Sequence, residues 1–234
     1  MILCIETATN ICSAAIITSG GEVSVRESSE DKSHASRLTV FIRELFDEKE
    51  IKATDLEGVA VSMGPGSYTG LRIGVSVAKG IAYGAGIPLI AVNTLESMFH
   101  GVSARAKALK ADLVCPMIDA RRMEVYMAMY GIDGRLHSGT EAKVVERAIF
   151  NDLLEGNRIL FFGNGADKCM DILDHPNALF IPGYTLAASS MYIPATRALE
   201  KREIADTAYF EPLYLKDFIA TIPRNNITDS KPVK

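Results

Sequence analysis

Two carboxylates, Glu6 and Asp119, each close a short apolar run, Ile2 to Glu6 and Leu113 to Asp119. Acids at strand ends that face one cleft hold a hydrated cation or act as a base; at a single strand end an acid more simply caps a turn. Between them lies Gly64-Pro65-Gly66-Ser67-Tyr68-Thr69-Gly70-Leu71-Arg72-Ile73-Gly74, which follows the apolar run Gly58 to Met63 and opens an Ala/Val-rich stretch reaching Gly86. This reads as strand, tight turn, helix. Glycines at such a junction permit positive φ and close backbone approach, and the first N–H groups of the helix are unpaired at the positive end of its dipole. A phosphate or a tightly packed neighbour fits there, and Ser67 or Thr69 also suits a helix cap. Glu6, Thr7, Gly64, Pro65, Gly66, Ser67, Thr69, Gly70, Arg72 and Asp119 are therefore candidates for nucleotide contact or for a structural turn.

Other chemistries find less support. His34, His100, His137 and His175 are far apart, without the i, i+4 pairing of a helical metal site. No G-x-S-x-G elbow exists, because Pro65 stands two residues before Ser67, and this disfavours a hydrolytic triad. Cys4, Cys12, Cys115 and Cys169 form no C-x-x-C pair and read as reduced buried thiols. With no membrane-length apolar run and no basic-then-apolar leader, the expected location is the cytoplasm. A net charge of −4 without a long Lys/Arg block argues against gripping nucleic acid alone. Any nucleic acid would be held with a partner's help.

The elements that position these residues recur. Ile2 to Glu6, Cys12 to Thr18 and Glu22 to Ser28 read as strands, with a hairpin turn at Gly20-Gly21. A shift of 113 residues superposes Leu113 to Asp119 on the first strand, Val125 to Tyr130 on the second and Asp133-Gly134 on the turn. A shift of 99 sets Leu160 to Gly165 against Val61 to Gly66, each a strand running into Gly-x-Gly. Two related lobes are the economical explanation.

Ser33 to Lys49 predicts an amphipathic helix capped by Ser33, with Leu38, Phe41, Ile42, Leu45 and Phe46 at helical spacing. In the helix from Leu71 to Tyr83, Gly70, Gly74 and Ala78 fall four apart, which calls for close approach by the protein's own sheet or by a second subunit. Ile87 to Val92 and Ala178 to Ile181 read as strands; Thr94 to Leu109, Glu146 to Glu155, Ala166 to Leu173 and Ser189 to Arg202 read as helices. Residues 224–234 form a polar tail. The pattern predicts an α/β protein of two mixed sheets, divided as 1–102, 103–223 and the tail.

Ile5-Glu6-Thr7-Ala8-Thr9 with Cys12-Ser13, the Gly64 to Gly74 block, Asp119-Ala120-Arg121-Arg122 with Glu124-Val125-Tyr126, and Pro212-Leu213-Tyr214-Leu215 together resemble the TsaB (YeaZ) family across most of the chain. The resemblance implies a two-lobed actin/Hsp70-like (ASKHA, ribonuclease H-like) fold. It also implies membership of the bacterial machinery that places threonylcarbamoyl on N6 of the adenosine beside the tRNA anticodon. The related catalytic TsaD proteins carry His-Met-Glu-Gly-His after a similar strand ending in Val-Asn. Here the matching stretch is Val92-Asn93-Thr94-Leu95-Glu96-Ser97-Met98, so Thr94 and Met98 replace both metal-binding histidines.

By this resemblance the chain is a non-catalytic subunit that pairs with a TsaD-like catalytic subunit, works with a TsaE-like ATPase, meets tRNA through the complex, and forms a homodimer when alone. No cofactor is expected on this chain; ATP and a metal ion belong to the partners. The pairing helices match Ser33 to Lys49 and Leu71 to Gly84, and implied interface residues are His34, Leu38, Phe41, Ile42, Leu45, Leu71, Gly74, Val75, Ala78 and Ala82. Glu6 stands where the family usually has Asp, and Lys216 where Arg is common. Arg121, Arg122 and the tail lysines remain open between solvated cations and tRNA contacts. The competing functions are an autonomous ASKHA-type ATPase or small-molecule kinase using Glu6, Asp119 and the Gly64 turn, and, with less support, a metalloprotease-like hydrolase.

Overall fold

The computed structural model describes residues 1–30 and 34–216; the expected Ser33 cap and the 224–234 tail lie outside them. The first sheet contains β1 (Ile2–Glu6), β2 (Cys12–Ile17), β3 (Val23–Ser28), β4 (Gly58–Gly64) and β5 (Leu89–Asn93), in the order β3-β2-β1-β4-β5. The second contains β6 (Leu113–Asp119), β7 (Glu124–Gly131), β8 (Leu136–Val144), β9 (Ile159–Phe162) and β10 (Ala178–Ile181), in the order β10-β9-β6-β7-β8. The two are one topology used twice. In each, the first strand pairs antiparallel with the second and parallel with the fourth, and the fifth extends the parallel side.

Five layers follow from which face each apolar residue takes. In β1, Leu3 and Ile5 face α1 (His34–Lys49) and α2 (Tyr68–Ala85), while Ile2 and Cys4 face the opposite side. Burial on both faces explains why this strand reads as a continuous apolar run rather than an alternating one. On that opposite side lie a short 3-10 turn, Ala188–Met191, and α6 (Tyr192–Lys201), which contribute Ala188, Met191 and Ala195. The chain thus returns from the second sheet to cover the first. α3 (Thr94–Ala108) packs Leu95, Met98, Phe99 and Val102 on the second sheet, whose far face is closed by α4 (Asn151–Gly156), α5 (Asn164–Asp167) and the turns after it. Residue 102 falls within α3.

Two expected helices are shorter than their sequence pattern. Glu146 begins no helix: turns occupy 147–150, and α4 starts at Asn151. α5 spans only Asn164–Asp167, and turns carry the chain through 168–172. In both stretches a few apolar anchors, Val145, Phe150, Cys169 and Leu173, satisfy the core without a regular helix. All four cysteines are free and buried, as their apolar settings predict.

Candidate functional site

The Gly64 block forms a turn of high curvature between β4 and α2. Gly64 has φ +111° and the Gly64–Pro65 peptide is cis. Ser67 caps α2, its Oγ accepting from the Gly70 N–H at 3.2 Å. The Ser67 N–H donates to the Ala8 carbonyl at 2.7 Å. A Cβ on Gly66 would strike the Ala8 carbonyl, one on Gly70 the Thr7 carbonyl, and one on Gly74 the Thr7 hydroxyl. The space that glycine opens at the head of α2 is therefore filled by the Thr7-Ala8 turn that follows β1. The close approach to this helix face is thus made within the protein, by the turn that leaves β1.

The second lobe repeats the arrangement. Gly163 has φ +99°, and Cβ atoms on Gly163 and Gly165 would meet the backbone of Met117 and Ile118 at the end of β6.

A strap formed by residues 205–216 binds the same region. Ala205 pairs with Leu89 at the outer edge of β5, Lys79 Nζ donates to the Ala208 and Phe210 carbonyls, and the Leu213 N–H donates to the Met63 carbonyl at 2.6 Å. Tyr214 lies on Tyr68 with ring centroids 4.8 Å apart. Arg72 covers the Tyr68 ring at 4.2 Å and its Nε donates to the Tyr214 hydroxyl at 3.2 Å. Pro212-Leu213-Tyr214-Leu215 and the Gly64 block, read separately in the sequence, are thus two sides of one joint. Thr69 and Arg72 are exposed; Pro65 is buried.

Glu6 and Asp119 occupy equivalent strand ends in opposite environments. Glu6 is fully buried: its Oε1 accepts from the Ala8 N–H at 2.6 Å and from Ser62 Oγ at 3.0 Å, while Oε2 has no hydrogen-bond partner among the described residues. Burial raises its pKa to about 7, against the opposing effect of those hydrogen bonds. Asp119 is exposed, accepts from the Arg121 N–H at 3.0 Å and pairs with Lys168. No hydrogen bond or ion pair joins the two acids, and each is engaged by its own turn. Ser62 and Lys168, their principal side-chain partners, carry no motif signal; the 113-residue repeat and the family motifs single out only the strand ends themselves.

Between the lobes, Thr9, Asn10 and Ile11 face Gly163, Asn164 and Tyr184. Met98 and Leu186 fill the gap and leave a cavity of about 10 Å³. That is about the room one water needs, and ligand pockets run to ~300 Å³ or more.

The implied interface residues lie inward. Leu38, Phe41, Ile42, Leu45, Val75, Ala78 and Ala82 belong to the core beneath α1 and α2; Leu71 and Gly74 are buried beside them. Within this chain that amphipathic face folds each helix onto its own sheet. His34 is half-buried and its Nε2 lies 3.0 Å from the Thr9 carbonyl oxygen. Outward on α2 stand Ser76, Gly80 and Gly84, four apart, with Tyr83 84% exposed. Among the described residues, added Cβ atoms on Gly80 and Gly84 would meet nothing within 4 Å.

Residues 25–224 match the family model described as TsaD, tRNA N6-adenosine threonylcarbamoyltransferase. The TsaB protein of Escherichia coli K12, a tRNA threonylcarbamoyladenosine biosynthesis protein, is 30% identical over 94% of this chain and 96% of its own length. The chain belongs to the TsaB family. The TsaB of Bacillus subtilis is also 30% identical, over 79% of this chain and 80% of its own. The solved structure of YeaZ from Pseudomonas aeruginosa superposes with a TM-score of 0.76 at 27% identity, covering 92% of this chain and 99% of that one. A second structure from that organism, described as similar to peptidase YeaZ, gives 0.80 at 25% identity with the same coverage. The fold is the two-lobed ASKHA fold, its repeat visible in the matched strand orders.

In this TsaB-family chain the stretch from Thr94 to Met98, which the resemblance sets against a TsaD metal motif, does not fit a metal. Thr94 and Met98 are both buried, and Met98 packs in the apolar contact between α3 and the second sheet, where a thioether and a hydroxyl offer poor ligands for a hard or borderline ion. Among the described residues, no three His, Cys, Asp or Glu side chains converge on a metal-sized site. No helix among them is long and apolar enough to cross a membrane.

Proposed function

We propose that this chain is the non-catalytic pairing subunit of the complex that transfers threonylcarbamoyl to N6 of the adenosine beside the tRNA anticodon. It docks a TsaD-like catalytic subunit through the outward face of α1 and α2. A TsaE-like ATPase completes the machinery, tRNA is met through the complex, and ATP and metal are held by the partners. Alone, the same face pairs two copies.

One observation carries this reading. Glycine inside a helix costs about 1 kcal/mol relative to alanine. Gly70 and Gly74 are required by Thr7, but Gly80 and Gly84 face open space and serve no packing among the described residues. With Ser76 they form a small-residue groove on an 18-residue helix. Two helix backbones can approach closely there, and a partner helix accounts for the otherwise unfavourable glycines. The match to the TsaD family and the named TsaB relatives support the tRNA-modifying context. The filled interlobe gap and the separated acids favour a binding role over an autonomous ATPase or kinase. The unsuitable Thr94 and Met98 weigh against a metalloprotease-like hydrolase.

The test is threonylcarbamoylation of an unmodified tRNA transcript by the cognate TsaD-like and TsaE-like proteins, with and without this chain. Modification that depends on the chain, with no ATP turnover by the chain alone, is the expected result. Modification that proceeds equally well without it would overturn the proposal.

A further inference from the structure

The β6–β7 hairpin presents two adjacent arginines in a conformation their side chains disfavour. Arg121 has φ +70° and Arg122 φ +53°, the left-handed region that favours glycine and asparagine. An observed outlier pair of this kind marks a place where something other than local preference selects the residues.

The surrounding contacts hold that conformation. The Ala120 N–H donates to the Glu124 carbonyl at 3.1 Å, and the Arg121 N–H donates to Asp119 Oδ1 at 3.0 Å. Lys168, arriving from the turn after α5, pairs with Asp119 and donates to the carbonyls of Arg122 at 2.6 Å and Glu124 at 2.8 Å. Lys216, at the end of the strap, pairs with Glu124. Both acids of the hairpin are thereby neutralised by lysines from elsewhere in the chain. Arg121 and Arg122 are exposed and form no ion pair among the described residues. Among the described residues no carboxylate pairs with either guanidinium, on a chain whose net charge is −4.

We infer that Arg121 and Arg122 form an RNA phosphate grip on this subunit. The inference rests on the proposed role in tRNA modification and assigns part of the tRNA contact to this chain rather than to its partners alone. Guanidinium groups bind phosphate oxygens in a bidentate manner and stay charged at any working pH. Among the described residues the loop itself presents no exposed apolar or aromatic anchor: Ala120 and Met123 are half-buried, and the exposed Val144 stands across from Glu124 on β8 rather than in the loop. Protein interfaces centre on apolar or aromatic anchors, whereas backbone recognition in RNA relies on exposed cations in a fixed register.

The experiment uses the full chain assembled with its TsaD-like subunit and measures binding of an unmodified tRNA transcript across salt concentration. Arg121→Gln/Arg122→Gln is expected to weaken binding roughly tenfold at ~0.1 M salt and to make the log–log salt slope shallower by about 1.4 to 1.8, the release of two phosphate contacts. Arg121→Asn/Arg122→Gly, which relaxes the backbone, is expected to raise the melting temperature of the chain by ~2–4 °C while weakening tRNA binding equally. Unchanged affinity and slope in both variants, with wild-type binding intact, would overturn the inference alone. Loss of subunit association without tRNA would reassign the arginines to an acidic protein surface and overturn it too. A wild-type complex that binds no tRNA would overturn the underlying functional reading and this inference with it.

Discussion

Leu213 is clamped onto Gly64: its carbonyl oxygen lies 2.6 Å from where a Cβ on Gly64 would sit, while its N–H donates to the adjoining Met63 carbonyl. The strap is thus seated on a residue whose missing side chain makes room for it, at a φ that disfavours any other residue. Gly64→Ala combines that strain with a backbone collision, and a loss of about 2–4 kcal/mol is expected. Hydrogen exchange should show faster amide exchange at Leu213 in the variant. Unaltered protection there would mean the strap does not depend on Gly64.

Two glycines of α2 should respond with opposite sign. Alanine at position 70 would drive its methyl group into the Thr7 carbonyl, which belongs to fixed backbone, so Gly70→Ala is expected to destabilise the chain by about 1–3 kcal/mol. Gly80→Ala meets open space and should stabilise it by about 0.5–1 kcal/mol. Urea titration of both variants checks this. Destabilisation by Gly80→Ala would show that this face is already packed within the chain.

Glu6 sets a pH dependence. Its folded pKa of about 7 lies above the ordinary 4.5, so the folded protein binds the extra proton. The stability this contributes is fully present below about pH 4.5 and is lost as pH rises through 7, a span worth on the order of 3 kcal/mol. Glu6→Gln keeps an acceptor for Ala8 and Ser62 without the charge. Thermal melts at pH 5.5 and 8.5 should show a smaller alkaline loss in the variant than in the wild type. Equal losses in the two proteins would remove Glu6 as the cause.

Much of the fold was legible because burial wrote it into spacing. β1 and β6 are apolar on both faces, α1 shows helical periodicity, and turn glycines mark the ends of β4 and β9, so both lobes emerge from two offsets along the chain. The site was less legible. Gly70 and Gly74 announce close approach but not by what, since an inner face against Thr7 and an outer face against a partner need the same small residues. The outward stripe of Ser76, Gly80 and Gly84 separates from the inward one only when the helix is placed on its sheet. The pairings of Glu6 with Ser62 and of Asp119 with Lys168 join residues far apart in the chain and leave no periodic trace.

Pairing through the outward face of α2 is the central claim, and size-exclusion chromatography with light scattering tests it most directly. The wild-type chain mixed with its TsaD-like counterpart at micromolar concentration should elute as a heterodimer. Gly80→Leu, which fills the groove without touching the core, should remain folded and elute separately from that counterpart. Independent elution of the two wild-type proteins, or a heterodimer undisturbed by Gly80→Leu, would contradict the account.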